Sequence, residues 1–340
     1  MDTIELLKTL TSAYGVSGSE ESAAAVSLEL LKPYVDEVKI DNRGSVVGTI
    51  KGNGPKILLD AHLDQCGFIV TYISDRGFLK FDKCGGMDER VVSGLPVTVL
   101  GKKPIFGVIS SIPPHLAKAE DEGKVKKYAD LCIDTGLTKE ECEELITLGD
   151  RIVPNYKFEK LLGTQVCSGA FDDRSCVAII LKALEALKED GVRPNLSVHF
   201  TVQEEVNGQA AKNNAFASDA DEAIILDVSF AKTPGCTDEN TGIMGKGPMI
   251  GIAPVLDNAI FAKLKELATK ANIPYQVEVM NGDTGTHADE VIMTKAGIRT
   301  GMISLPLKFM HTPVEVIDTE DFDNCVKLLC EFIKSEGGIA

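Results

Sequence analysis

Imidazoles and carboxylates in this chain gather just past short apolar runs. Asp60-Ala61-His62-Leu63-Asp64 follows Ile57-Leu58-Leu59. Glu204-Glu205 follows Leu196–Gln203, Asp227 follows Glu222–Leu226, and Met310-His311-Thr312-Pro313 follows Arg299–Leu305. Asp172-Asp173-Arg174 opens a stretch with helical apolar spacing. Imidazole and carboxylate donors without thiolate suit zinc, cobalt or manganese. Two histidines and several carboxylates exceed what one catalytic zinc takes, usually three protein ligands and a water. They fit two ions about 3.5–4 Å apart, a pair that acidifies water and polarises a carbonyl. A further carboxylate must then take and return the proton. Each residue alone has a plainer reading. His62 and His311 fit ordinary loops, Asp172-Asp173 an acidic helix start, Glu204-Glu205 a solvated edge and Asp64 a turn. Their joint placement is what points to a metal site.

Such placement needs an open sheet, because α/β sheets bind ligands beyond the carboxyl ends of their strands. Lys56–Leu59, Leu196–Gln203, Glu222–Leu226, Tyr275–Met280 and Arg299–Leu305 read as strands. Residues from Asp172 to about Leu187, Ala259–Ala271 and Thr319–Glu336 read as helices. This alternation predicts an α/β fold, a mostly parallel sheet with helices on both faces. Ser17-Gly18-Ser19-Glu20 fits a capping box for a helix to about Lys32. Between residues 69 and 163 the pattern changes to short β-rich runs, Val97–Leu100 and Ile105–Ile112, with one short helix at Thr138–Thr147. We expect a small β-rich domain there, inserted into a catalytic domain formed by residues 1–68 and 164–340. Neighbours on a strand point to opposite faces, so Glu204 and Glu205 both face one site only if their strand has ended.

The 340-residue chain carries a net charge of -16, which repels phosphate backbones and anionic lipid. Nucleic acid and membrane are therefore not expected partners. Met1-Asp2-Thr3-Ile4-Glu5 has no basic leader, and no apolar run spans a bilayer. Nine scattered cysteines without a CxxC pair read as free thiols of a reducing cytoplasm.

The ordered set of motifs resembles the glutamyl aminopeptidase family of metallopeptidases. That family includes the tetrahedral (TET) aminopeptidases and some members with cellulase-like names. The resemblance runs through Gly15-Val16-Ser17-Gly18, Asp60–Asp64, Phe171–Arg174, Val202–Glu205, Leu226-Asp227-Val228 and Phe309–Pro313. In the β-rich insertion it adds Gly85-Gly86 and Leu148-Gly149-Asp150. It implies that His62 and Asp227 hold one metal, His311 and Glu205 the other, and that Asp172 bridges them. Asp64 would orient His62 from behind, and Glu204 would be the general base. Two divalent ions per subunit, zinc or cobalt, would activate a water that cleaves the N-terminal peptide bond of short peptides. The resemblance further implies a homo-oligomer, a tetrahedral dodecamer with the insertion serving assembly. Two stretches depart from the family pattern, Val206-Asn207-Gly208-Gln209-Ala210 and Gly285-Thr286-His287-Ala288. His287 could touch substrate or metal, or only fill a turn. His115 is expected to be structural and His199 a core residue. Amidase or deacylase chemistry on the same metals stays open, as does a non-catalytic scaffold. A metal-free glycosidase needs only two carboxylates and has no use for His62 and His311.

Overall fold

The computed structural model describes residues 1–116 and 123–337. Its centre is an eleven-stranded sheet. The middle strands, Pro194–Thr201, Asn53–His62, Glu222–Phe230 and Arg299–Lys308, lie side by side and run parallel. Antiparallel strands extend both flanks, Val46–Ile50 on one side and Glu315–Asp318 on the other. The parallel character expected from the sequence thus belongs to the strands that carry the site.

Period-two alternation sorts the side chains of these strands into two cores. Ile57, Leu59, Ile224 and Leu226 pack against Phe171–Glu189 and Thr319–Ser335, with Val177, Ile180, Leu184, Phe322 and Leu329. The intervening Leu58, Ala223, Ile225 and Met302 pack on the other face with Ala211, Ala215, Ala288 and Val291. Helices Gln209–Ser218 and His287–Ile292 supply those four. Each fully buried Leu or Ile contributes roughly 1.5–3 kcal/mol, so the register is strongly fixed. A one-residue slip would exchange the two cores. The same alternation decides where chemistry sits. Asp60 and His62 continue the Leu58 face, and Asp227 and Ser229 continue the Ile225 face. The second face is therefore apolar in its middle and polar at the carboxyl ends.

The β-rich insertion closes on itself as a barrel. Its strands, in order around the barrel, are Gly67–Ile73, Leu79–Cys84, Cys132–Asp134, Pro104–Ser110, Pro96–Leu100 and Arg151–Pro154. Phe68, Phe81, Val97, Ile109, Ile133 and Ile152 fill its interior. The short helix is Lys139–Leu145, started by a capping box between Thr138 and Glu141. The barrel ends at Pro154, and Glu159–Lys160 already pairs in the large sheet, so the chain returns earlier than residue 163.

The capping box expected at Ser17–Glu20 does not form. Helix Glu21–Leu31 has no side-chain cap. Ser17 Oγ donates to Asp64 Oδ2 at 2.6 Å, and Glu20 accepts from the Gly18 amide at 2.7 Å. The hydroxyl goes to a buried carboxylate because a charge-assisted bond is stronger than a neutral cap. Among the described residues no helix is long and apolar enough to cross a membrane. All nine cysteines are unpaired, and Cys236 is exposed.

Candidate metal centre

His62 is the last residue of its strand, and the next strand over, Pro194–Thr201, ends opposite it. Beyond Thr201 the chain turns out of the sheet. Gln203 adopts a left-handed φ of 63°, and Glu204–Asn207 form one helical turn. The strand has thus ended before Glu204 and Glu205, so both carboxylates face the same space.

Asp64 makes that turn possible. Its Oδ1 accepts the Glu204 amide at 3.0 Å and its Oδ2 the Glu205 amide at 3.2 Å. These are unsatisfied donors at a helix start. His62 Nδ1 lies 3.5 Å from Asp64 Oδ1. Burial alone would raise the Asp64 carboxyl, but His62 and Ser17 hold it below the usual range. Asp64 therefore fixes the ring of His62 and the backbone of both glutamates at once.

Asp172 lies between the two imidazoles. Its Oδ1 is 3.0 Å from His62 Nε2 and its Oδ2 is 3.2 Å from His311 Nε2. Glu205 is 3.4 Å from the same His311 nitrogen. Ligand atoms sharing a tetrahedral zinc with bonds of about 2.0–2.1 Å stand about 3.3 Å apart. The donor atoms of His62, Asp172 and Glu205 all lie within 4.8 Å of one another, as do those of His62, Asp173 and Asp227. The sequence-derived set of His62, Asp172, Glu204, Glu205, Asp227 and His311 is brought to one cavity wall, with Asp64 directly behind it.

The electrostatics ask for cations. Burial would raise Asp172, yet His311 and His62 override it and hold the carboxyl well below the usual range. Its neighbours go the other way. Burial and then Asp172 push Glu205 up to about 8. Burial raises Asp227 well above normal, and Glu204 and Asp172 add repulsion. Asp173 rises through burial and then Asp227. Burial opposes protonation of His311, but Asp172 and Glu205 lift it to about 10. Buried like charges raise one another in this way, and divalent ions at these donors invert that logic. The donor set therefore fits metal binding.

The family model described as M42 glutamyl aminopeptidase matches residues 44–328. The chain belongs to the M42 glutamyl aminopeptidase family. It is 33% identical to a lysyl aminopeptidase of Pyrococcus furiosus, over 95% of this chain and 94% of that one. Its fold matches a TET aminopeptidase from a marine-sediment thaumarchaeon with a TM-score of 0.93 and 35% identity, covering 98% of this chain and 96% of the other. It also matches the TET1 peptidase of Pyrococcus horikoshii, which can assemble into a tetrahedron or a large octahedral shell, with a TM-score of 0.87 and 31% identity over 98% and 99% of the two chains. As an M42 member this chain is a hydrolase, a metal-dependent aminopeptidase.

Residues given no role at the metals from the sequence also surround the site. Glu315, buried at the start of its strand, accepts the Phe171 and Asp172 amides through Oε2 at 2.8 and 3.2 Å. Its Oε1 accepts the His311 amide at 3.1 Å. Asp173 accepts the His62 amide at 3.1 Å while its other oxygen is unpartnered. Cys66 lies beside Glu205 and His311 and accepts the Gly86 amide at 3.0 Å. Burial and then Glu205 push its thiol up. Gly86 admits no side chain, because a Cβ there would meet His311 Nδ1 at 2.8 Å. His287 begins its helix fully buried, its Nδ1 2.7 Å from Asp60 Oδ1. His199 is buried against Ser197, and His115 sits on an exposed turn at Pro114–Leu116. The Asn207-Gly208-Gln209 departure forms the joint between two helices, with Val206 and Asn207 on the cavity wall.

Proposed function

We propose that this site holds two divalent metal ions, zinc or cobalt, and removes the N-terminal residue of short peptides. One observation carries the count of two: the two oxygens of Asp172 face two different imidazoles. His62 with Asp227 would hold one ion, and His311 with Glu205 the other. When bound, the ions supply Lewis acidity that polarises the scissile carbonyl and acidifies a water. Glu204 is then the group left to move the proton. It lies 4.0 Å from His62 Nε2, outside hydrogen-bond range, with its carboxylate open to the cavity. It takes a proton from the attacking water and returns it to the leaving nitrogen. Asp64 keeps Glu204 and His62 in fixed relation during that transfer.

Unpaired cysteines support a reducing cytoplasmic setting. The shells formed by the TET1 peptidase support a homo-oligomer, and we assign the barrel a part in its assembly. The decisive experiment combines metal analysis with turnover. We expect about two ions per chain, loss of aminopeptidase activity on chelation, and its return with zinc or cobalt. Full activity in a metal-free preparation would refute the proposal, and one ion per fully active chain would refute the bridging role of Asp172.

A further inference from the structure

The family description names a glutamyl enzyme, whereas one relative is a lysyl aminopeptidase, so names do not decide which N-terminal residue this chain takes. The cavity beside the metal centre does carry the information. It has a volume of ≈ 760 Å³ and runs from His62, Asp172, Glu204, Glu205 and His311 to Glu278. Its walls include Val228, Met249, Val277, Met280 and Met302. Methionine and valine accommodate an aliphatic stem but offer nothing to a charged tip.

Glu278 supplies the exception. It lies on the short strand Gln276–Val279, with its carboxylate mostly withdrawn from water. Ser229 Oγ donates to Oε1, and Ser304 Oγ donates to Oε2 at 2.8 Å. Two hydroxyls on opposite oxygens hold the group as an oriented acceptor. Ser229 lies two residues past Asp227 on the same side of its strand, about 7 Å along it. That is the scale of a four-carbon side chain reaching away from the metal-ligating carboxylate. Of the other acidic lining residues beyond the metal centre, Asp238 is paired with Lys232, and Glu239 stands on the exposed rim. No Lys or Arg occurs among the described lining residues. An acidic substrate side chain would enter beside Glu278 with no cation to receive it, whereas lysine and arginine bring an apolar stem and a cationic tip.

We propose that Glu278 selects peptides whose N-terminal residue is lysine or arginine. This rests on the aminopeptidase function above and adds its substrate class. The test uses the metal-loaded full-length enzyme with Lys-Ala, Arg-Ala, Leu-Ala, Met-Ala and Glu-Ala. We expect kcat/KM for the lysyl and arginyl dipeptides to exceed that for the leucyl one by about 10-fold or more, with the glutamyl dipeptide poorest. Glu278→Gln keeps the volume and removes the charge. It should lower the Lys-Ala to Leu-Ala ratio of kcat/KM roughly 10–100-fold. Preference for Glu-Ala in the wild type overturns the proposal without any variant. An equal effect of Glu278→Gln on all five dipeptides also overturns it, while leaving the aminopeptidase function intact. Failure to cleave any of the five with metal bound overturns both.

Discussion

Glu204 and Glu205 are sequence neighbours in different surroundings. Glu205 is 4% exposed and wedged beside His311, whereas Glu204 is 17% exposed and opens onto the cavity. In the proposed mechanism one holds a cation and the other moves a proton, and two variants separate these roles. Glu204→Gln keeps shape and loses the acceptor, so metal content should stay near wild type while kcat falls roughly 10²–10⁴-fold. Glu205→Ala removes a donor, so it should lose metal from one site. Excess metal should recover part of its activity by mass action. Metal stoichiometry measured beside turnover reads both variants, and loss of metal from Glu204→Gln would assign the base wrongly. At this scale the sequence was most legible for side chains brought together at or just past strand ends, such as His62 and His311. It was least legible for those whose partners are backbone amides. Nothing in the type or spacing of Ser17 or Glu315 announces a bond to residues 47 and 143 positions away.

Elements bring those distant amides together. The strand bearing His62 runs on to residue 62 instead of stopping near Leu59, because Phe200 and Thr201 continue to pair with Ala61 and His62. Periodicity alone sees no reason for that extension, since Asp60 looks like a strand breaker. In the structure Asp60 is satisfied by His287 and by Thr201 Oγ1 at 2.6 Å, so it can be buried inside a strand. The long helices and the parallel strands were legible because their hydrophobic periods are long and regular. Glu315 is the point where three segments meet, with its strand start joined to the Phe171 helix and the His311 loop. Glu315→Gln should therefore act on metal binding without touching the metal. One amide nitrogen would then face backbone donors instead of accepting from them. We expect a 10–100-fold loss of metal affinity or activity, the usual effect of removing such a support. Zinc titration of the purified variant checks this, and wild-type affinity with wild-type turnover would show that Glu315 is dispensable to the site.

At the scale of the molecule, the barrel has two faces with different tasks. Its inner end reaches the metal centre, where Gly85 and Gly86 pack against Cys66, Glu205 and His311. Its outer surface carries exposed apolar side chains on one strand. Phe106 and Val108 alternate outward on Pro104–Ser110 and are 61% and 38% exposed, and Ile112 just beyond is 60% exposed. Single exposed apolar residues are ordinary, but several aligned on one side of a strand and just past it are a candidate interaction surface. A second copy of the chain is the partner that fits the proposed assembly. In a closed assembly each subunit buries the same patch, so one substitution acts at every interface that uses it. Phe106→Asp places a charge at one end of that row, on its most exposed side chain, and leaving it buried and unpaired costs several kcal/mol. The barrel interior is untouched, because Phe106 points away from Phe68, Val97 and Ile109. We therefore expect the variant to fold with an unchanged circular dichroism spectrum and to show a lower mass than wild type in light scattering with metal present. Wild-type protein that is monomeric under those conditions would remove the basis for the assembly. A Phe106→Asp protein with full wild-type mass would move the interface off this face of the barrel.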